Sequence, residues 1–389
     1  MSWMACASRR RKASTKAEAV LYSELIAGLK RGVNGRIEAT IPEDWMQGRT
    51  TYGGLTAALC LESAMELVPD MPMTGLQEDS VSWIIRRPGF EAVSAGAAEI
   101  GIMPREDFND GNNEGSGFFE VNQRNGVRWN TAKAFLRPAM KRPNLRVITG
   151  AHVTSLVFDG SRVAGVTYSR NGKSQTVKAG REVILSGGAV NSPQLLQLSG
   201  IGPADHLKGL GIDVRLDNPH VGRNLEDHIG TNYTFRANCP TINQQLGPWW
   251  GKLSAGIRYL MFRDGPLSVS LNQAGGFIRT SPELERPNMQ LYFQAFSTVI
   301  PRPGERPILS PDPWPGFSIG WSNCRPKSRG EIMIRSADPF ASPRITPNAL
   351  SHEDDVEEML ATGKLVRRMA AARPLADFID TELLPGPEI

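Results

Sequence analysis

The chain has 389 residues, 40% of them hydrophobic, with 44 basic against 40 acidic side chains and a net charge of +4. This composition is that of a folded protein long enough for two or more domains, and its near balance of charge argues against an electrostatic nucleic-acid binder. No window of about 18 apolar residues offers a transmembrane segment. Four cysteines, at positions 6, 60, 239 and 324, form neither a CxxC pair nor a disulfide scaffold, so a reducing cytoplasm is the expected setting.

In chain order, residues 1–18 form a basic tail around Arg9-Arg10-Arg11-Lys12, with no apolar stretch behind it to make a secretory signal. Thr15-Lys16-Ala17-Glu18 has capping-box spacing, and Leu21, Leu25 and Leu29 recur on one helical face until Gly32. Residues 36–41 alternate as a strand does, and 55–68 carry a helical pattern. The composition breaks at 69–74, which places a boundary between about 70 and 90. Residues 107–115 are too rich in Asn, Asp and Gly for a helix. Strands are expected at 145–149, 153–158, 165–168 and 174–178, with hairpin turns at Asp159-Gly160 and Asn171-Gly172. This meander leads into Glu182–Leu185, whose apolar run reads as a strand buried on both faces. A second sheet is expected from 290–296, 317–321 and 331–334.

Several motifs fail on their spacing. Asn171-Gly172-Lys173-Ser174 lacks the first glycine of a P-loop, and Gly115-Ser116-Gly117 lacks the spacing of a nucleophile elbow. The five histidines show no HxH or HxxxH pair, so they read as capping and packing residues and no metal site is expected. No GxGxxG follows a predicted strand.

The stretch GGAVNSPQLLQLSGIG, residues 187–202, carries more information. Gly187, Gly188 and Ala189 remove side-chain bulk where the chain leaves the predicted strand. Asn191 or Ser192 can cap a helix, Pro193 suits its first position, and Gly200 stops it. A bare backbone turn before a helix start suits contact with an anion or a flat ring, and it equally suits close packing alone.

The same stretch resembles the second signature of the glucose–methanol–choline (GMC) oxidoreductases. Its carriers are Gly188, Ser192-Pro193, Leu195-Leu196 and Ser199-Gly200-Ile201-Gly202. The resemblance continues in Asp107-Phe108-Asn109, Gly126–Trp129, Arg142–Leu145, Val221–His228 and Arg325–Gly330, and covers about residues 85–389. It implies a partial, Rossmann-like α/β FAD-binding domain at 85–235 and an α+β substrate domain of mainly antiparallel sheet at 236–389. It implies FAD as cofactor and a small-molecule alcohol as substrate, with the electron acceptor open. Val153 is placed beside the adenine by its backbone, Gly187, Gly188 and Ala189 line the cofactor side of the turn, and Ser192 caps the helix. The family's glycine fingerprint is matched nowhere in the chain, and no residue takes the role of its catalytic histidine. Asp227-His228 is expected to be a loop-fixing hydrogen-bonded pair. The resemblance therefore implies an incomplete, catalytically impaired oxidoreductase.

Residues 19–80 resemble a different protein, the opening of an acyl-CoA thioesterase of the hotdog class. Its carriers are Asp44–Leu55 and the helical segment after them. A chimera of a thioesterase start and a GMC middle is the expected organisation, with an acyl-CoA thioesterase fragment or a non-catalytic chimeric remnant as the alternative functional readings.

Overall fold

The computed structural model describes residues 89–268, 270, 272, 274–298 and 310–389, together with four two-residue strands near the N-terminus. Those strands form the antiparallel pairs Lys30–Arg31 with Ile37–Glu38 and Met46–Gln47 with Thr50–Thr51. The remainder of the thioesterase-like segment, including the helical pattern at 55–68, lies outside the described residues.

The principal element is a six-stranded antiparallel sheet. It is built from β1 (Gly115–Phe118), β6 (Gly230–Ala237), β7 (Ala274–Ile278), β8 (Met289–Gln294), β9 (Gly316–Asn323) and β12 (Ile379–Leu384), in the order β12-β6-β9-β8-β7-β1. It thus takes strands from both sides of residue 235, and β6 runs through that position. In β8 the apolar residues alternate with polar ones, and Met289, Leu291 and Phe293 are the buried set. One-sided burial of an antiparallel strand produces this period of two. They face Phe235, Phe317, Ile319 and Trp321 of the neighbouring strands.

Two helices cover that apolar face, α1 (Phe90–Glu99) and α4 (Glu353–Ala371), which contribute Phe90, Val93, Ala97, Val366 and Met369 to the core. Helix α4 starts with Glu353, Asp354 and Asp355, which suit the positive end of its dipole, and the ring of His352 accepts from the Asp354 N–H at 3.3 Å. It lies close to the sheet at Gly363, where an added Cβ would meet the Tyr233 hydroxyl at 2.7 Å and Trp321 at 3.3 Å. The indole of Trp321 stands edge-on to Tyr233, with centroids 4.7 Å apart, and donates to the Met359 carbonyl at 3.2 Å. The core is thereby tied to the helix by a hydrogen bond as well as by packing.

The predicted meander is present as β2 (His152–Asp159), β3 (Arg162–Arg170) and β4 (Lys173–Lys178), in the order β4-β3-β2. Asn171 and Gly172 both have positive φ, 51° and 73°, as a two-residue hairpin of this hand requires. The third predicted segment of the second sheet is found elsewhere. β10 (Gly330–Met333) pairs with β5 (Arg223–Leu225) and β11 (Arg344–Thr346) in a separate three-stranded sheet.

Two expected strands do not form. Residues 145–149 and 182–185 have no strand conformation, and Ile184 is 76% exposed. An apolar run becomes a buried strand only when neighbours complete its ladder and cover its faces, and no described strand pairs with either segment.

Candidate functional site

The helix of the glycine-rich stretch, α2, runs Gly188–Leu198, longer than the sequence pattern indicates. Gly187 occupies the N-cap, and no side chain caps the helix. Ser192 therefore lies inside the helix and does not cap it, and Pro193 sits in its second turn. The cause is local: Gly188 takes φ +76°, a conformation open to glycine, and the helix begins there instead of waiting for Pro193. The proline removes only the bond that Ala189 would have accepted.

The glycines of the stretch do different jobs. A Cβ at Gly187 would crowd the first turn, at 3.1 Å from the Ser192 nitrogen, whereas one at Gly188 would meet nothing within 4 Å. Gly200, at φ +84°, carries a second constraint, because a Cβ there would collide with the Asp213 carbonyl oxygen. Gly200 and Gly202 thus serve packing, and the bare surface at Gly187, Gly188 and Ala189 is exposed.

Two polar side chains hold the helix in place, Gln197, which the motif reading passed over, and Ser199, which it named only as a motif residue. Gln197 is fully buried; its amide donates to the Ile332 carbonyl at 3.0 Å, and its carbonyl accepts from the Ile334 N–H at 3.2 Å. Ser199 donates to the Leu195 carbonyl at 2.7 Å and accepts from the Leu156 N–H at 2.9 Å. Helix α2 is therefore pinned to β2 on one side and to the β10 region on the other. A glutamine among leucines was the available signal, since an apolar helix face admits a polar group only when it is fully partnered.

Val153 lies in β2, opposite Tyr168, and is 37% exposed. The Ser199–Leu156 bond fixes this strand to the C-terminal end of α2. The turn at Gly187, Gly188 and Ala189 is exposed, no side chain caps the first N–H groups of α2, and Val153 is partly exposed.

The six-stranded sheet has a second, polar face. Thr234 and Ser318 hydroxyls lie 3.2 Å apart, and Tyr292 hydrogen-bonds to Ser322 at 2.8 Å and to Gln290 at 3.0 Å. Gly320 stands among them and keeps the face low. Thr234, Ser318 and Ser322 are buried and Gln290 and Tyr292 half-buried, so these polar groups satisfy one another within the sheet.

The family-like 325–330 segment is held in a structural role. Asp355 is buried and accepts from the Lys327 N–H at 2.7 Å and from both the N–H and the hydroxyl of Ser328, so the 325–330 turn docks on the start of α4. Burial pushes this carboxyl up, but the hydrogen bonds from Ser328 and Lys327 outweigh it and hold it below the ordinary range. Asp227 and His228 are both exposed, and no hydrogen bond joins them, which corrects the expected pair. His152 and His206 bond to the carbonyls of Pro339 and Ile334 at 2.9 and 3.0 Å, as packing histidines do. Burial raises the Cys324 thiol to about 11, which keeps it protonated at neutral pH. Among the described residues no cluster of three or more His, Cys, Asp or Glu could hold a metal ion.

The chain belongs to the GMC oxidoreductase family: the N-terminal family model matches residues 61–230 and the C-terminal one 326–389. The N-terminal match starts inside the 19–80 segment. Among curated relatives, the chain is 38% identical over 297 residues to an alcohol dehydrogenase (acceptor) of Pseudomonas putida, covering 75% of this chain and 52% of the relative. It is 37% identical over 305 residues to an oxygen-dependent choline dehydrogenase of Staphylococcus xylosus, covering 78% and 53%. The chain thus spans about half the length of these relatives. Among solved structures, it superposes on a formate oxidase of Aspergillus oryzae RIB40, studied for modification of its FAD, with a TM-score of 0.66 and 25% identity over 76% of this chain and 55% of that one.

Proposed function

We propose that the chain is the central portion of an FAD-dependent oxidoreductase that acts on the CH–OH group of a small alcohol, in the manner of the alcohol and choline dehydrogenases it is similar to. The observation that carries this reading is the turn at Gly187, Gly188 and Ala189, exposed and free of bulk although the helix behind it is rigidly anchored. When bound, FAD would supply the hydride acceptor. In this reading Val153 and the α2 start hold the adenine side. Ser192, placed inside α2, supports that side through the helix and caps nothing.

In the same reading the 389 residues by themselves are catalytically impaired, because they carry no strand-GxGxxG-helix to hold a pyrophosphate and no residue assigned as the base. Of the segment 19–80, the part before residue 61, where the family match begins, is proposed as a thioesterase-like addition, and the setting as the cytoplasm, in keeping with Cys239 and Cys324 as free thiols.

The test is an FAD titration followed by flavin fluorescence, with Ala189→Leu as comparison. Ala189 is exposed and helical, so leucine leaves folding unchanged while it fills the bare surface. At least a ten-fold loss of FAD affinity, with an unchanged melting temperature, is expected. Equal affinity in the two proteins would remove the turn from the cofactor site. Bleaching of bound flavin by choline or a primary alcohol would refute the impaired state.

A further inference from the structure

We propose that helix α3 (Trp249–Phe262) is a docking element for an anionic lipid surface, lying flat in the headgroup region without crossing the membrane. The helix buries its small side, Gly251 and Ala255, against the protein. Six of its large residues point the other way, Trp249, Trp250, Leu253, Ile257, Leu260 and Met261, all exposed, Trp249 at 75% and Leu260 at 70%, while Phe262 is exposed at the helix end on the Gly251/Ala255 side. At about 100° per residue these six fall within an arc of about 120°, centred opposite the Gly251/Ala255 face. The apolar stripe thus points straight out from the molecule. It exposes roughly 800 Å², against roughly 300–600 Å² for the largest apolar patch of an ordinary monomer.

Charge decides the occupant. Lys252 borders the stripe on one side and Arg258 on the other, and Arg263 follows at the helix end. Residues 228–263 contain no Asp or Glu. Asp264 is held by Arg258 at 2.7 Å, which leaves Lys252 and Arg263 with no carboxylate partner among the described residues. A second copy of the chain laid on this stripe would bring the Lys252 and Arg263 cations of each copy near those of the other. An anionic bilayer takes the apolar ridge among its acyl chains and the flanking cations among its headgroups, with the Trp249-Trp250 pair at the interface. No helix among the described residues is long and apolar enough to span a membrane, so the contact is peripheral. The inference is independent of the proposed oxidoreductase activity.

The experiment is vesicle flotation of the full chain, using phosphatidylcholine vesicles with and without about 30% phosphatidylserine. Binding to the anionic vesicles is expected. It should fall at least ten-fold in a Trp250→Ser/Leu253→Ser/Ile257→Ser variant with an unchanged circular dichroism spectrum. It should weaken several-fold in Lys252→Glu/Arg263→Glu, and again when salt rises from about 0.1 to about 0.5 M. The proposal is overturned if neither vesicle binds, or if the serine variant floats as well as the parent. It is equally overturned if light scattering gives twice the chain mass and the serine variant restores a single chain, because a second copy then covers the stripe.

Discussion

Two apolar runs in this chain meet opposite fates. Phe317–Trp321 lies in a strand buried throughout its length, whereas Val183–Leu185 is irregular with Ile184 on the surface. Their local sequences do not predict this difference. What separates them is company: β9 has β6 on one side, β8 on the other and α4 across its apolar face, while no described strand pairs with the second run. The same kind of signal therefore yields a strand only where tertiary partners take up its backbone groups and cover its side chains.

The largest expected effect is at the covered run. Trp321→Ala removes a buried indole, its edge-on contact with Tyr233 and its bond to Met359. It should lower the unfolding free energy by about 3–5 kcal/mol, as read from urea titration. A loss below about 1 kcal/mol would mean that the six-stranded sheet is not the stable centre of the fold.

An intermediate effect is expected where α4 meets the 325–330 turn. The folded-state pKa of Asp355 lies below its unfolded value of about 3.9, so its contribution is fully present above that pH and is lost as pH falls through the lowered folded value. Asp355→Asn should cost about 1–3 kcal/mol at neutral pH and flatten the acid side of the stability profile below about pH 4. A variant that keeps the parent's acid limb would assign that limb to other carboxylates.

The smallest effect is expected at the open run. Ile184→Ser should change stability by less than about 0.5 kcal/mol while making the protein less prone to self-associate. A loss of about 2 kcal/mol or more, which in this range is a mark of burial, would show that Ile184 is covered in solution, and the contrast between the two runs would then fail.

Much of the fold is legible in the sequence for local reasons. The β2-β3-β4 meander follows from alternating residues and from Asn171-Gly172, whose positive φ values set the turn without outside help. The alternation in β8 marks its buried face in the same way. The turn at Gly187–Ala189 and the family are legible too, because they rest on spaced short motifs. The cap of α2 is not where the sequence pattern places it, since Pro193 and Ser192 are good start signals but Gly188 supplies an earlier one.

What the sequence by itself determined were hairpins, strand faces, the glycine positions and the family, all of which depend on residues near one another in the chain or on motif order. Only the tertiary structure decided which apolar runs are buried, that Gln197 and Ser199 anchor α2, and that Gly200 faces the Asp213 carbonyl. It also decided that α3 turns its bulky side outward. These outcomes depend on which surfaces meet, and burial and hydrogen-bond satisfaction are properties of the contact rather than of either segment alone.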